Sequence, residues 1–262
     1  MGKQLIGKIE VLDRSEAQTG GDTAADTIIA KATEGNSEGL IKIDQPATGQ
    51  TEAQTEYRYS GSNDVVKNYV TFNNETWRII GVFPTDDGTG NIENRVKIIR
   101  EESIGDYSWD TSDSTINSGF GINQWGSSGS YEGADLMRLL NPGYESESVN
   151  NSLYWNRKSG KCYNARYNGT VTCDFSSTGL TENAKEMIED AVWYTSASSL
   201  ATTASESYAE ERASTTTQFT DEGITVTRTT NWTGKVGLMY PSDYGYASSG
   251  CRNGEYILSQ YY

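Results

Sequence analysis

The chain has 262 residues and a net charge of −15, and it contains no histidine. An acidic chain repels a phosphate backbone and an anionic membrane surface, so no nucleic-acid partner is expected. The missing imidazole removes Ser-His-Asp and Cys-His catalysis and every His-bearing metal site, which leaves carboxylates, Tyr, Lys or Cys for any chemistry.

A chain of this length makes one large domain or two small ones, and its wealth of Gly, Ser, Thr, Asn and Tyr over strong helix formers points to a loop-rich β or α+β protein. No run of about 18 apolar residues and no signal peptide is visible. At the N-terminus Leu5, Ile9 and Leu12 recur at helical spacing, and Ile28, Ile29 and Ala32 form a second stripe after a cap at Asp22 or Thr23, with Gly20-Gly21 between them. Two short helices in a detached leader or stalk are the expectation. Residues 44–56 are polar and read as a linker or surface arm, so the expected division is an N-terminal helical segment with linker at 1–56 and a single α+β domain at 57–262.

Tyr57 and Tyr59 suggest an edge strand. Beyond it Tyr69, Thr71 and Phe72, then Trp77, Ile79, Ile80, Val82 and Phe83, then Val96, Ile98 and Ile99 are broken by Asn73-Asn74 and Asp87-Gly88. That pattern predicts three consecutive antiparallel strands, which we take as the centre of the sheet. Residues 101–129 form a long loop in which Trp109, Phe120 and Trp125 supply packing or contact surface. Leu136, Met137, Leu139 and Leu140 give a short buried helix stopped by Pro142-Gly143.

Cys162 and Cys173 flank a ribbon turning at Asn168-Gly169, so the two thiols can meet as a disulfide of an oxidising compartment; the alternative is two free thiols in a reducing one. Cys251 is then odd, either free, paired to another chain, or separated from its partner. Thr181 and Glu182 open what reads as the best helix, with Ala184, Met187, Ile188, Ala191 and Val192 along one face. Residues 196–222 are expected to be mobile surface, and Ile224–Thr227 and Val236–Met239 to be short strands.

Few constellations carry chemistry. Asp86, Asp87 and Asn91 gather oxygen ligands on one turn, where calcium is the cation they would accept, but the spacing is also that of an ordinary tight turn. Asp106, Asp110 and Asp113 form a second acidic cluster, and no phosphate loop or nucleophile elbow is present. The expected cofactor set is therefore empty apart from calcium. Tyr240, Tyr244, Tyr246, Tyr256, Tyr261 and Tyr262 crowd the end of the chain among Ser, Gly and Asn, the composition of binding loops. With Trp109 and Trp125, Tyr240, Tyr244, Tyr246 and Tyr256 are the candidate ligand contacts.

The segments N-Y-V-T-F-N-N-E-T-W-R-I-I-G-V-F from Asn68, R-V-K-I-I-R-E-E-S-I-G from Arg95, A-D-L-M-R-L-L-N-P-G-Y from Ala134, S-L-Y-W-N-R from Ser152 and V-G-L-M-Y-P-S-D-Y-G-Y-A from Val236 occur in this order. Over roughly residues 22–250 they resemble a family of exported surface proteins of Gram-positive gut bacteria. That family is distantly similar to the C-type-lectin-like fold of formylglycine-generating enzymes and of the variable proteins of diversity-generating retroelements. The resemblance implies a mixed, mainly antiparallel sheet with two short packed helices and long loops. It also implies a membrane segment ahead of this chain and a further cysteine and closing strand beyond Tyr262. The copper-binding cysteine pair of formylglycine-generating enzymes has no counterpart, because Cys251 stands alone in the late segment. The function expected is non-enzymatic: an extracellular or cell-surface domain that binds a protein or glycan, as in adhesion, with membrane contact only through a segment outside this chain. The alternatives are a subunit of a surface filament or pilus-like stalk, and an enzyme related to formylglycine-generating enzymes.

Overall fold

The computed structural model describes residues 3–7, 23–33, 38–62, 64–110, 125–127, 133–165, 169–196, 203–221 and 224–247. The early elements are β1 (Lys3–Gly7), α1 (Ala24–Thr33), β2 (Leu40–Gln45), β3 (Gln54–Tyr59), β4 (Tyr69–Phe72), β5 (Glu75–Asp86) and β6 (Ile92–Arg100). The middle of the chain supplies α2 (Asp135–Leu140), β7 (Ser159–Ala165), β8 (Gly169–Asp174), α3 (Glu182–Glu186) and β9 (Ala191–Tyr194). The late elements are α4 (Ala204–Glu211), β10 (Thr216–Asp221), β11 (Ile224–Thr229), β12 (Asn231–Gly234), β13 (Val236–Leu238) and α5 (Pro241–Ala247). The main sheet runs β13-β1-β6-β5-β3-β2 with β4 on β5, and its ladders are antiparallel. The fold is α+β with more sheet than helix.

The predicted meander is β4, β5 and β6. Asn73 and Asn74 both lie at positive φ, 54° and 60°, the geometry that lets a two-residue turn match the twist of its strands. Phe72 then meets Trp77 edge-on at 5.2 Å, with the indole at 1% exposure. Along β5 the partner strand changes, from β3 at Val82 and Gly81 to β4 at Arg78, and a bulge lies between Ile79 and Gly81. Asn68 closes the gap this leaves. Its carbonyl accepts from Ile79 N at 2.7 Å, and its Nδ2 donates to the Ile79 carbonyl at 2.8 Å.

One side of the sheet carries the apolar core, where Trp77, Val82, Val96 and Ile98 pack with Leu136, Met137, Leu139 and Leu140 of α2. Each fully buried leucine there contributes about 2 kcal/mol. Asn141 ends α2 and ties it to β13: Val236 N donates to Asn141 Oδ1 at 2.8 Å, and Asn141 Nδ2 donates to the Val236 carbonyl at 3.0 Å. Cys162 and Cys173 are joined as a disulfide inside the β7–β8 ribbon, with a Cα separation of 6.0 Å, and both are buried in the core.

Several expectations are corrected. Among the described residues of the expected arm, residues 3–7 are not helical but form a strand paired on both sides, to β6 and to β13. A five-residue segment takes its conformation from such neighbours rather than from its own periodicity. Ala24, Ala25 and Ile28 of α1 are buried in the core, and the helix starts at Thr23, whose Oγ1 accepts from Asp26 N while Asp26 Oδ2 accepts from Thr23 N. The polar stretch 44–56 is a linker only in its middle. Gln54 to Glu56 open β3, which is interior to the sheet, and β2 is the edge.

The best predicted helix is cut short. Thr181 does cap α3, accepting from Ala184 N at 3.3 Å, but α3 ends at Glu186, and Ala191 to Tyr194 form a strand against β12. The β-branched and aromatic run Val192-Trp193-Tyr194 outweighs the helical spacing of the alanines. The Ser/Thr/Glu-rich segment expected at the surface contains α4, whose Ala204 and Tyr208 are buried and whose capping box joins Thr203 to Glu206. Among the described residues no helix is long and apolar enough to cross a membrane.

Candidate functional site

The sheet side opposite the apolar core is also covered, and it is polar. Alternation along β3 and β6 sends Glu56, Arg58, Arg95 and Lys97 to that side, and every one of them is buried. Arg58 Nε donates to Glu56 Oε2 at 2.8 Å and its Nη1 to Asp243 Oδ1 at 2.9 Å, while Lys97 Nζ reaches Asp243 Oδ2 at 2.6 Å. Glu211 of α4 accepts from Ser242 N and Oγ and pairs with Arg212 at 2.7 Å. Aromatic rings wall in the cations: Arg58 lies 4.6 Å and 4.7 Å from the centroids of Phe83 and Tyr246, and Arg212 lies 3.9 Å from that of Tyr208.

Arg58, Lys97 and Arg212 thus face the buried carboxylates of Glu56, Glu211 and Asp243, which is the condition for holding charge away from water. Burial pushes Lys97 down to about 8 against the pull of Asp243. Burial also opposes the Asp243 carboxylate, but Lys97 and Arg58 outweigh it and keep the group below the ordinary carboxylate range. For Glu211 burial dominates and the carboxyl is raised. A cavity of about 30 Å³ beside Lys97, Arg212, Tyr194 and Tyr240 is too small for an organic ligand. This cluster fixes α5 against the sheet.

That fixation aims the next residue outward. Asp243 and Tyr246 point into the cluster, while Tyr244, on the other side of α5, is 43% exposed and borders a cleft of about 340 Å³. Tyr59, Val66, Ile80 and Met239 give the cleft an apolar wall, and it sits where β5 exchanges β3 for β4. Its rim is charged. Arg78 pairs with Glu101 and lies 4.4 Å over the ring of the exposed Tyr69. The hydrogen bond from Arg78 holds Glu101 below the ordinary carboxylate range. An aromatic face, an aliphatic wall and a fixed ion pair suit binding by stacking, apolar contact and hydrogen bonding.

The sequence-predicted contacts divide accordingly. Tyr244 lines the cleft. Tyr246 does not belong to a binding loop: it lies on helix α5, 5% exposed, under Arg58. Tyr240 faces the same interior; its ring is 4.3 Å from Lys97 Nζ, and its hydroxyl accepts from Tyr194 N at 2.7 Å. Tyr256, Tyr261, Tyr262 and Cys251 lie outside the described residues. Trp109 and Trp125 meet at 5.4 Å, Trp125 buried in the core and Trp109 partly exposed. They form a packing pair apart from the cleft.

Asp86 and Asp87 serve their own turn. Asp86 Oδ1 accepts from Gly88 N and Gly90 N, and Asp87 Oδ1 accepts from Thr89 N and Oγ1. Among the described residues no three His, Cys, Asp or Glu side chains gather as a metal group. The buried charges at Glu56, Arg58, Lys97, Glu211, Arg212 and Asp243 went unrecognised in the sequence. One signal was available: R-V-K-I-I-R and Y-R-Y place cations at alternate positions of strands whose other residues are core.

No family model, no curated protein and no solved structure matches this chain.

Proposed function

We propose that this chain is a non-catalytic recognition domain that works outside the cell and takes a protein or glycan ligand in the cleft beside Tyr244. The observation that carries the reading is the exposed ring of Tyr244 over a cleft of about 340 Å³, held in place by the buried Asp243 one residue earlier. The Cys162–Cys173 disulfide supports an oxidising compartment. The motif resemblance to exported surface proteins and to the C-type-lectin-like fold belongs to the same proposal, supported by a mainly antiparallel sheet with short packed helices and long connections.

Glycan and protein arrays probed with the wild-type chain and with Tyr244→Ala test it. The expected result is a defined set of signals that falls at least tenfold in the variant while its melting temperature is unchanged. Blank arrays, or signals indifferent to the substitution, overturn it.

A second reading, a subunit of a surface filament, is favoured by the position of β1. This strand comes from the start of the sequence and fills an interior place between β6 and β13. A neighbouring copy's residues 3–7 in that place would link subunits by strand exchange. Electron microscopy of the assembled cell surface separates the readings: filaments labelled along their length favour the second, and diffuse labelling favours the first.

A further inference from the structure

We propose that Lys97 and Asp243 condense to an intramolecular amide bond, a covalent cross-link between the central strand β6 and helix α5. The two groups are already in hydrogen-bond contact. Lys97 Nζ lies 2.6 Å from Asp243 Oδ2, with the side chains 3% and 0% exposed. Their separation in sequence is 146 positions, so the fold alone creates the pairing.

The surroundings hold the two groups together in a buried, aromatic-lined site. The lysine nitrogen is enclosed by the rings of Tyr240, Phe83 and Trp193, with centroids at 4.3, 5.2 and 5.8 Å. Removal from water destabilises two opposite charges relative to the neutral amine and acid that one proton transfer generates. Burial has brought the ammonium down to about 8, so it gives up a proton to a neighbouring oxygen more readily than an ordinary lysine does. The two carboxyl oxygens are distinguished. Oδ1 accepts from Arg58 Nη1 at 2.9 Å, and Oδ2 accepts from Lys97 and from Tyr240 N.

The step balances without any added reagent. The ammonium passes one proton to Oδ2, and the free amine attacks Cγ. Negative charge then develops on Oδ1, where the Arg58 guanidinium stands ready to stabilise it. A second proton moves from nitrogen to Oδ2, the Cγ–Oδ2 bond breaks, and one water leaves as the Nζ–Cγ amide closes. Oδ1 remains as the amide oxygen and keeps its bond from Arg58. The cavity of about 30 Å³ bordered by Lys97, Phe83 and Tyr240 is large enough to receive the released water.

The test is the mass of the full chain, purified folded, held overnight near neutral pH, then reduced and denatured. The expected mass is lower than that of the sequence by one water. A proteolytic digest should contain a branched peptide joining the Lys97 segment to the Asp243 segment. Lys97→Arg keeps a buried cation but cannot form the bond, and should show the full mass. A wild-type chain at full mass with Lys97 and Asp243 on separate linear peptides overturns the proposal. So does a water loss that maps elsewhere, such as to the Asp87-Gly88 dipeptide, or that persists in Lys97→Arg.

Discussion

Arg58 and Asp243 stand 185 positions apart in sequence, yet the guanidinium of one donates to the carboxylate of the other at 2.9 Å in a region closed to water. The same guanidinium binds Glu56 and supports the rings of Phe83 and Tyr246. It is the point where β3, β5 and α5 are joined. Arg58→Ala would leave two carboxylates short of a partner and a gap beneath Tyr246. The expected loss is about 3–5 kcal/mol of folding stability, the cost of breaking a buried pair from one side. Urea unfolding of the variant and the wild type at the same pH checks this. A loss under about 1 kcal/mol would mean that water already reaches the cluster.

Tyr244 and Tyr246 are neighbours on one short helix with opposite duties. Tyr246→Ala removes a buried ring and its contact with Arg58, so it should destabilise by about 3–5 kcal/mol. Tyr244→Ala removes an exposed ring and should change stability by about 0.5 kcal/mol or less. Thermal melts of the two single variants read the contrast directly. Equal losses would contradict the orientation of α5.

The sequence made the central meander legible because its signals are local. Asn73-Asn74 demands a tight turn whatever surrounds it, and Trp77, Val82, Val96 and Ile98 alternate against a core. Helix α2 and the cysteine ribbon were legible for the same reason. The buried charge cluster was not, since Arg58, Lys97, Glu211 and Asp243 are each ordinary surface residues until distant elements cover them. Alternation tells which residues share a side of β6, but not that distant elements cover the charged side. The segment around α4 failed in the same way: its Ser, Thr and Glu content resembles mobile surface, yet Glu211 and Arg212 complete the cluster from inside.

The Cys162–Cys173 disulfide closes a short loop, with 11 positions between its ends. Constraint of the unfolded chain by a loop of that size is worth about 3 kcal/mol. Replacing both residues by Ala should lower stability by about that amount, and mild reduction of the wild type should have a smaller, slower effect because both sulfur atoms are buried. Denaturant midpoints before and after reduction, with thiol labelling to follow exposure, check both. Rapid labelling of the native protein would place the ribbon outside the core.

Glu211 gives the fold a specific dependence on pH. Burial raises its carboxyl above the ordinary glutamate value of 4.5, with Arg212 opposing and Asp243 reinforcing the rise. The folded state therefore keeps a proton that the unfolded state releases first. Below about pH 4.5 both states are protonated and Glu211 contributes its full stabilisation; as pH rises through the folded value, that contribution is lost. Glu211→Gln cannot titrate but can still accept from Ser242 N, the bond that anchors α5 at 2.8 Å. Groups common to both proteins cancel in the comparison. The stability of Glu211→Gln relative to wild type should therefore increase with pH from about 4.5 upward and level off once wild-type Glu211 has ionised. Urea midpoints of both proteins at matched pH values between about 4 and 8 measure this. A difference that stays flat across the series would mean that Glu211 is ionised in the fold as easily as in water, and that Arg212 rather than burial governs it.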